Sequence, residues 1–208
     1  MPAKYNFYVS IKLISFSIVN FHMKRLISAV LTFIVVLSLA NIYGRQIIST
    51  PQFRASFLDK INEARARGCN CGGTYMPPAP PLVWNEQLEV SAVRHADDMS
   101  ANSYFSHTSR DGRTMQDRIR MAGYTYNGFK SYEVGENIAE GPQTITDVMD
   151  GWLKSPGHCK NLMNPGFKEI GIGYNNGYWV QDFGGRVAFS ADVQRMIKSG
   201  QYHVIEKQ

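Results

Sequence analysis

The dipeptide Asn176-Gly177 constrains this chain more than any other feature, because it joins two apolar runs, "EIGIGYN" and "YWVQDFG". A two-residue type I′ turn needs positive φ at both central positions. Asn and Gly tolerate that best, and the twist of the turn suits antiparallel strands. The pair therefore predicts a β-hairpin closing the domain. Upstream the apolar residues recur at helical spacing. Phe53, Phe57, Ile61 and Ala64 share a face between Pro51 and Gly68. Asn85 is placed to cap a second helix carrying Leu88, Ala92, His95 and Met99 on one side. Thr114 can cap a short helix that holds Met115, Ile119 and Met121 and ends at Gly123. In "TITDVMDGWLKS" Ile145, Val148, Met149 and Trp152 point inward, and Pro156 suits the first turn of another short helix. Between the first two helices, "GCNCGGTYMPPAPPLVWN" carries too much Gly and Pro for regular structure before Val83-Trp84, and is expected as a loop. From Arg186 onward the patterning is weak and predicts no element. Helices around a few late strands make an α+β domain, with helices layered outside a small sheet.

The chain has 208 residues, 44% hydrophobic and 19% charged, which describes a globular domain and excludes a disordered one. Its net charge of +5 is unevenly placed: Lys4, Lys12, Lys24 and Arg25 supply four of the charges with no acid among residues 1–40. The remainder is nearly balanced, so charge gives no reason to expect nucleic acid as a partner. From Met23, "MKRLISAVLTFIVVLSLAN" reads as an export signal: two basic residues, an apolar stretch and a small-x-small cleavage site at Ser38-Leu39-Ala40. The alternative is an uncleaved anchor, although the apolar run of about 15 residues falls short of the ~20 that a spanning helix needs. The expected organisation is a leader over 1–40, a short linker over 41–50, a folded domain over 51–190 and a tail over 191–208. Either reading of the leader puts the domain outside the cytoplasm, secreted or held at the cell envelope.

Three cysteines, Cys69, Cys71 and Cys159, suit an oxidising compartment. "CNC" is not a zinc spacing, so the expectation is one disulfide and one free thiol, with Cys69 or Cys71 as the bridged partner. Joining Cys71 to Cys159 would close 88 residues of chain, worth about 4–5 kcal/mol if unstrained.

Of the five histidines, His22 lies in the leader and His203 in the tail, and His95 shares the apolar face of the second helix as a packing residue. His107 and His158 lie instead in Gly/Ser/Pro-punctuated turns, where side chains serve surface clefts. Glu136 in "GEN" is expected in another turn, with Gly135 allowing close approach and Asn137 tying the turn to itself. Two imidazoles and one carboxylate suit a divalent metal, zinc above all, with a coordination position left open. They equally suit acid–base work, Glu136 fixing one imidazole in its tautomer. The plain alternative is three solvated turn residues. Ser155, before Pro-Gly, reads as a helix cap, because no G-x-S-x-G elbow surrounds it. Cys159 is poorly suited as a nucleophile, since a partner cysteine consumes its thiol.

"FSHTSRDG", "GENIAEG", "SPGHCKNLMNP" followed by "EIGIGY", and "YWVQDFG" occur here in an order and at intervals that resemble the CAP superfamily. That group takes in the cysteine-rich secretory proteins, antigen 5 and the pathogenesis-related 1 proteins, and this chain is similar to its bacterial, secreted branch over Phe53 to Phe183. The resemblance implies an α-β-α sandwich with a small, mainly antiparallel sheet and a large central cleft. It implies a site of two histidines and two acids, of which His107, Glu136 and His158 match three. The fourth acid would fall near Ser155, where this chain has none. It also implies Cys71 as the partner of Cys159. No general enzyme activity defines the family; some members hold a divalent metal, some bind sterols or fatty lipids, and proteolysis has been proposed for others. The function expected from the resemblance is a cleft that takes a divalent metal, zinc first, or a small or lipidic ligand through His107, Glu136, His158 and Ser155. One alternative is a metal- or histidine-assisted peptidase or esterase. Another is a non-catalytic interaction module presenting Tyr124, Tyr126 or Phe129.

Overall fold

The computed structural model describes residues 49–126 and 128–203, so the leader expectation lies outside the described residues. Helix α1 (Pro51–Arg67) starts where Thr50 Oγ1 accepts from the Phe53 amide and stops at Gly68, whose φ is +73°. Strands β1 (Cys69–Cys71) and β2 (Thr74–Met76) form a small hairpin of their own. Strand β3 (Val83–Trp84) leads into α2 (Glu86–Asn102), capped by Asn85 as its side chain accepts from the Gln87 and Leu88 amides. Helix α3 (Met115–Met121) begins with a reciprocal box between Thr114 and Asp117. Then come β4 (Phe129–Glu140), α4 (Ile145–Lys154) and α5 (Pro156–Leu162). Strands β5 (Glu169–Asn175) and β6 (Tyr178–Ala188) and helix α6 (Ala191–Lys198) complete the described fold.

The main sheet runs β3-β5-β6-β4, parallel only between β3 and β5. Strands β5 and β6 meet through Asn176-Gly177, whose φ values of +48° and +86° are those that a primed turn demands. Alternation along β6 sends Trp179 and Phe183 to one face and Val180 to the other. The first face packs with Ile170 and Ile172 against Phe57, Ile61, Val148, Met149 and Trp152 from α1 and α4. On the second, Val180 and Ile138 meet Ala92, Ala96 and Met99 of α2. Helix α2 comes down onto the strands because Gly171 and Gly173 carry no side chain. A Cβ on either would collide with α2 backbone, at Leu88–Glu89 and Ala92 respectively. Helices on both faces of a small, mostly antiparallel sheet make this an α-β-α sandwich.

Three local expectations are corrected. The Gly- and Pro-rich segment after α1 is not all loop: its glycines Gly72 and Gly73 sit at positive φ in the turn and allow "CNC" and "TYM" to pair. The segment beyond Arg186 carries the end of β6 and all of α6. "GEN" is not a turn but lies within β4, which pairs with β6 from Phe129↔Ala188 to Glu140↔Tyr178.

Candidate functional site

Glu136 sits in β4 with its side chain 2% exposed, its backbone held in the strand ladder. Carboxylate oxygens so far from water need donors, and Glu136 has them. Oε1 accepts from His107 Nδ1 at 2.7 Å, and Oε2 accepts from Arg118 Nη2 at 2.5 Å. Burial acts to raise the carboxyl's pKa, but the His107 hydrogen bond and the Arg118 charge outweigh it, and the group is held below the ordinary carboxylate range. Gly135 clears space as expected, since a Cβ there would meet the Phe167 ring.

His107 lies in the connection between α2 and α3, and its side chain is 56% exposed. That connection is pinned from below. Arg118 Nη1 donates to the His107 carbonyl at 2.9 Å, and His95 Nε2 donates to the Ser106 carbonyl at 2.8 Å. A carbonyl can only accept, so the latter bond fixes the His95 tautomer. Burial then favours its neutral form, the packing role expected from sequence. The same logic applies to His107: a carboxylate accepts, so Nδ1 carries a proton, and in the neutral ring it is Nε2 that keeps the lone pair.

His158 is on α5, the short helix expected to begin at Pro156, and is half-buried. The helix is tied to β4 through Asn137, which donates to the His158 carbonyl at 3.2 Å and accepts from Asn161 Nδ2 at 2.9 Å. Asn137 thus joins two elements where a self-tied turn was expected. Burial, and then the nearby charge of His107, lower the His158 pKa and keep the ring neutral. The disulfide Cys71–Cys159 anchors the same helix to β1, which selects Cys71 over Cys69 as the bridged cysteine and leaves Cys69 free.

His107, His158 and Ser155 all line one cavity of about 610 Å³, together with the apolar side chains of Phe105, Ile138 and Trp152. Glu136 does not line it, and acts on the cavity through His107. Ser155 occupies the N-cap position of α5, but its side chain makes no capping hydrogen bond, which corrects the helix-cap expectation. Among the described residues, the three-ligand clusters of His, Cys, Asp or Glu within chelating distance comprise Cys69, Cys71 and Cys159 alone, and the disulfide takes two of those sulfurs.

Two functional neighbours escaped the sequence reading. Arg118, 4% exposed, sits in the short helix α3 and holds both Glu136 and the His107 backbone. Asp182 faces Glu136 across the β4–β6 ladder and is fully buried. Burial and the charge of Glu136 push its carboxyl well above the ordinary range, so a neutral acid lies beside an ionised one. An acid in the middle of the apolar run "YWVQDFG" was the available signal for it.

Of the aromatic residues expected to be exposed, one is buried and two are half-buried. Tyr124 is completely buried, donating from its hydroxyl to Glu169 Oε2 at 2.6 Å beneath the Arg186 guanidinium. Phe129 is half-buried beside the same arginine, and Tyr126 stacks on Tyr132 with ring centroids 5.4 Å apart.

The model of the cysteine-rich secretory protein family, CAP, matches residues 58–183, and the chain belongs to that family. An uncharacterized protein of Bacillus subtilis (strain 168) is 37% identical over 108 residues, covering 51% of this chain and 40% of that relative. Among solved structures, an extracellular protein containing an SCP domain from Bacillus anthracis str. Ames is 31% identical, with a TM-score of 0.49 over 65% of this chain and 43% of that one. An outer surface protein from Borrelia burgdorferi is 24% identical, with a TM-score of 0.53 over 67% of this chain and 96% of that one. The chain therefore spans less than half the length of the Bacillus relatives. No helix among the described residues is long and apolar enough to cross a membrane.

Proposed function

We propose that this is a secreted or cell-envelope domain whose cleft binds a divalent cation, zinc first, through His107 Nε2 and His158, beside an apolar wall that takes a small or lipidic ligand. The hydrogen bond from His107 Nδ1 to Glu136 carries this reading. It presents Nε2 to a ligand in the neutral tautomer and fixes the ring's orientation, as carboxylates behind metal-ligating histidines do. His158, held neutral by its surroundings, supplies a second nitrogen of the right kind. Glu136 supports the site instead of ligating, because His107 and Arg118 take both of its oxygens. A bound cation there would supply Lewis acidity to a ligand in the cleft. The apolar contribution of Phe105, Ile138 and Trp152 favours ligands with a hydrocarbon part. Descriptions of the two structural relatives as extracellular and outer-surface proteins support the location.

Zinc titration by calorimetry tests the proposal. Wild type is expected to bind one ion, and a His107→Ala/His158→Ala double variant none. Undiminished binding by the double variant, or no binding by wild type, rejects it. A second reading, hydrolysis with His107 as general base for water, draws on the same His107–Glu136 bond. Turnover of peptide or ester substrates that survives Glu136→Gln would remove it.

A further inference from the structure

A second cluster of reactive side chains lies outside the cleft lining, where β1 meets α5. Alternation puts residues two apart on one side of a strand, so "CNC" in β1 aims both Cys69 and Cys71 the same way. Their shared target is Cys159. The Cys69 sulfur lies 3.2 Å from that of Cys159 and 3.6 Å from that of Cys71, within reach of either half of the existing disulfide. The hairpin also rests on α5 without the bond's help, because Gly72 packs against the Pro156 ring so closely that a Cβ would collide with it. The junction can therefore keep its backbone while the sulfurs change partners. Exposure separates the three: Cys71 and Cys159 are completely buried, and Cys69 is half-buried.

We propose that Cys69 is a thiol–disulfide exchange site, through which Cys159 passes between Cys71 and Cys69. In the exchange the Cys69 thiolate attacks the Cys159 sulfur. The Cys69–Cys159 bond forms, the Cys71–Cys159 bond breaks, and Cys71 leaves as a thiolate that takes up the proton Cys69 gave away. Electrons balance within the three residues, and no outside oxidant or reductant takes part. The sulfurs form a triangle, so Cys69 must swing through a side-chain rotation to approach along the S–S axis. Burial raises the Cys69 thiol pKa, so the thiolate is scarce at neutral pH and exchange quickens in alkali.

Two consequences follow for the protein. Cys159, next in sequence to His158, stays tethered in both isomers, so α5 and its histidine remain anchored while the free thiol changes place. In the Cys69–Cys159 isomer, one disulfide sulfur is half-exposed. A low-molecular-weight thiol can then open a bond whose original sulfurs are both out of its reach.

Non-reducing peptide mapping of the exported protein tests this. The Cys71→Ser variant is expected to contain a Cys69–Cys159 linkage and no free thiol; two alkylatable thiols would overturn the proposal. Because that variant can fail to fold, the second test uses wild type against Cys69→Ser, which keeps the original bond. Glutathione in mildly alkaline buffer is expected to open the wild-type disulfide roughly tenfold faster or more, since only wild type has the exposed route. Equal rates overturn the proposal whatever the first variant does.

Discussion

On one face of the central sheet Trp152, Trp179 and Phe183 pack into a single aromatic cluster with Phe57. On the other, Glu136, Asp182, His95 and Arg118 lie buried near glycines that let α2 settle onto the strands. The two faces fail differently. Truncating an apolar side chain costs the area it buried and the cavity it leaves, and the costs of distant truncations add. Removing a buried polar partner leaves another group charged and unpaired, so the damage depends on what remains. The cleft takes its geometry from the polar face, because His107 is held by Glu136, and Glu136 by Arg118.

The largest effect expected is from Arg118→Ala, which leaves the Glu136 carboxylate buried without its cation and should cost about 3–5 kcal/mol in urea unfolding. Adding Glu136→Gln removes the stranded charge and should recover about 1–3 kcal/mol of that loss. Trp152→Ala on the apolar face should also cost about 3–5 kcal/mol, but Glu136→Gln should recover none of it. Recovery in both backgrounds, or in neither, would erase the distinction between the faces.

A pH-dependent effect comes next. The Asp182 carboxyl is raised, so the folded state keeps a proton that the unfolded chain gives up near pH 4. Its contribution to stability is full below about pH 4 and is lost as pH rises through the folded-state value. Glu136 is depressed and has the opposite sign: its contribution is present above about pH 4 and is lost as acid protonates it. Asp182→Asn should therefore gain on wild type as pH rises from 4 towards neutrality in parallel unfolding curves. A difference constant with pH would mean that Asp182 is ionised in the fold. The smallest effect is expected at Ser155→Ala, within about 0.5 kcal/mol, because that side chain caps nothing. A loss near 1 kcal/mol, typical of a true N-cap, would contradict the geometry.

Much of the site's outline was legible before folding. His107, Glu136 and His158 stood out as polar residues in motifs of known order, and the structure brings His107 and Glu136 into direct contact and His158 to the same cavity. Glu136 was misplaced in a turn because Gly135 and Asn137 are turn formers locally. Eleven residue pairs with β6 override that preference, a tertiary effect no local window contains. Arg118 was passed over for a related reason: next to Asp117 and Arg120 it reads as one more surface charge. Only the approach of α3 to β4 buries it. Tyr124 looked available for partners until the Glu169–Arg186 pair enclosed its hydroxyl and ring.

The residues alone specified the helices, their caps and the Asn176-Gly177 hairpin, because period, capping and turn chemistry act over a few positions. They also specified that a disulfide would form from three cysteines. The tertiary structure alone decided which acid is ionised, which nitrogen of His107 is free, and how close Cys69 comes to the bond it does not share. Those depend on distances between groups far apart in the chain, where burial strengthens each charge and each missing partner.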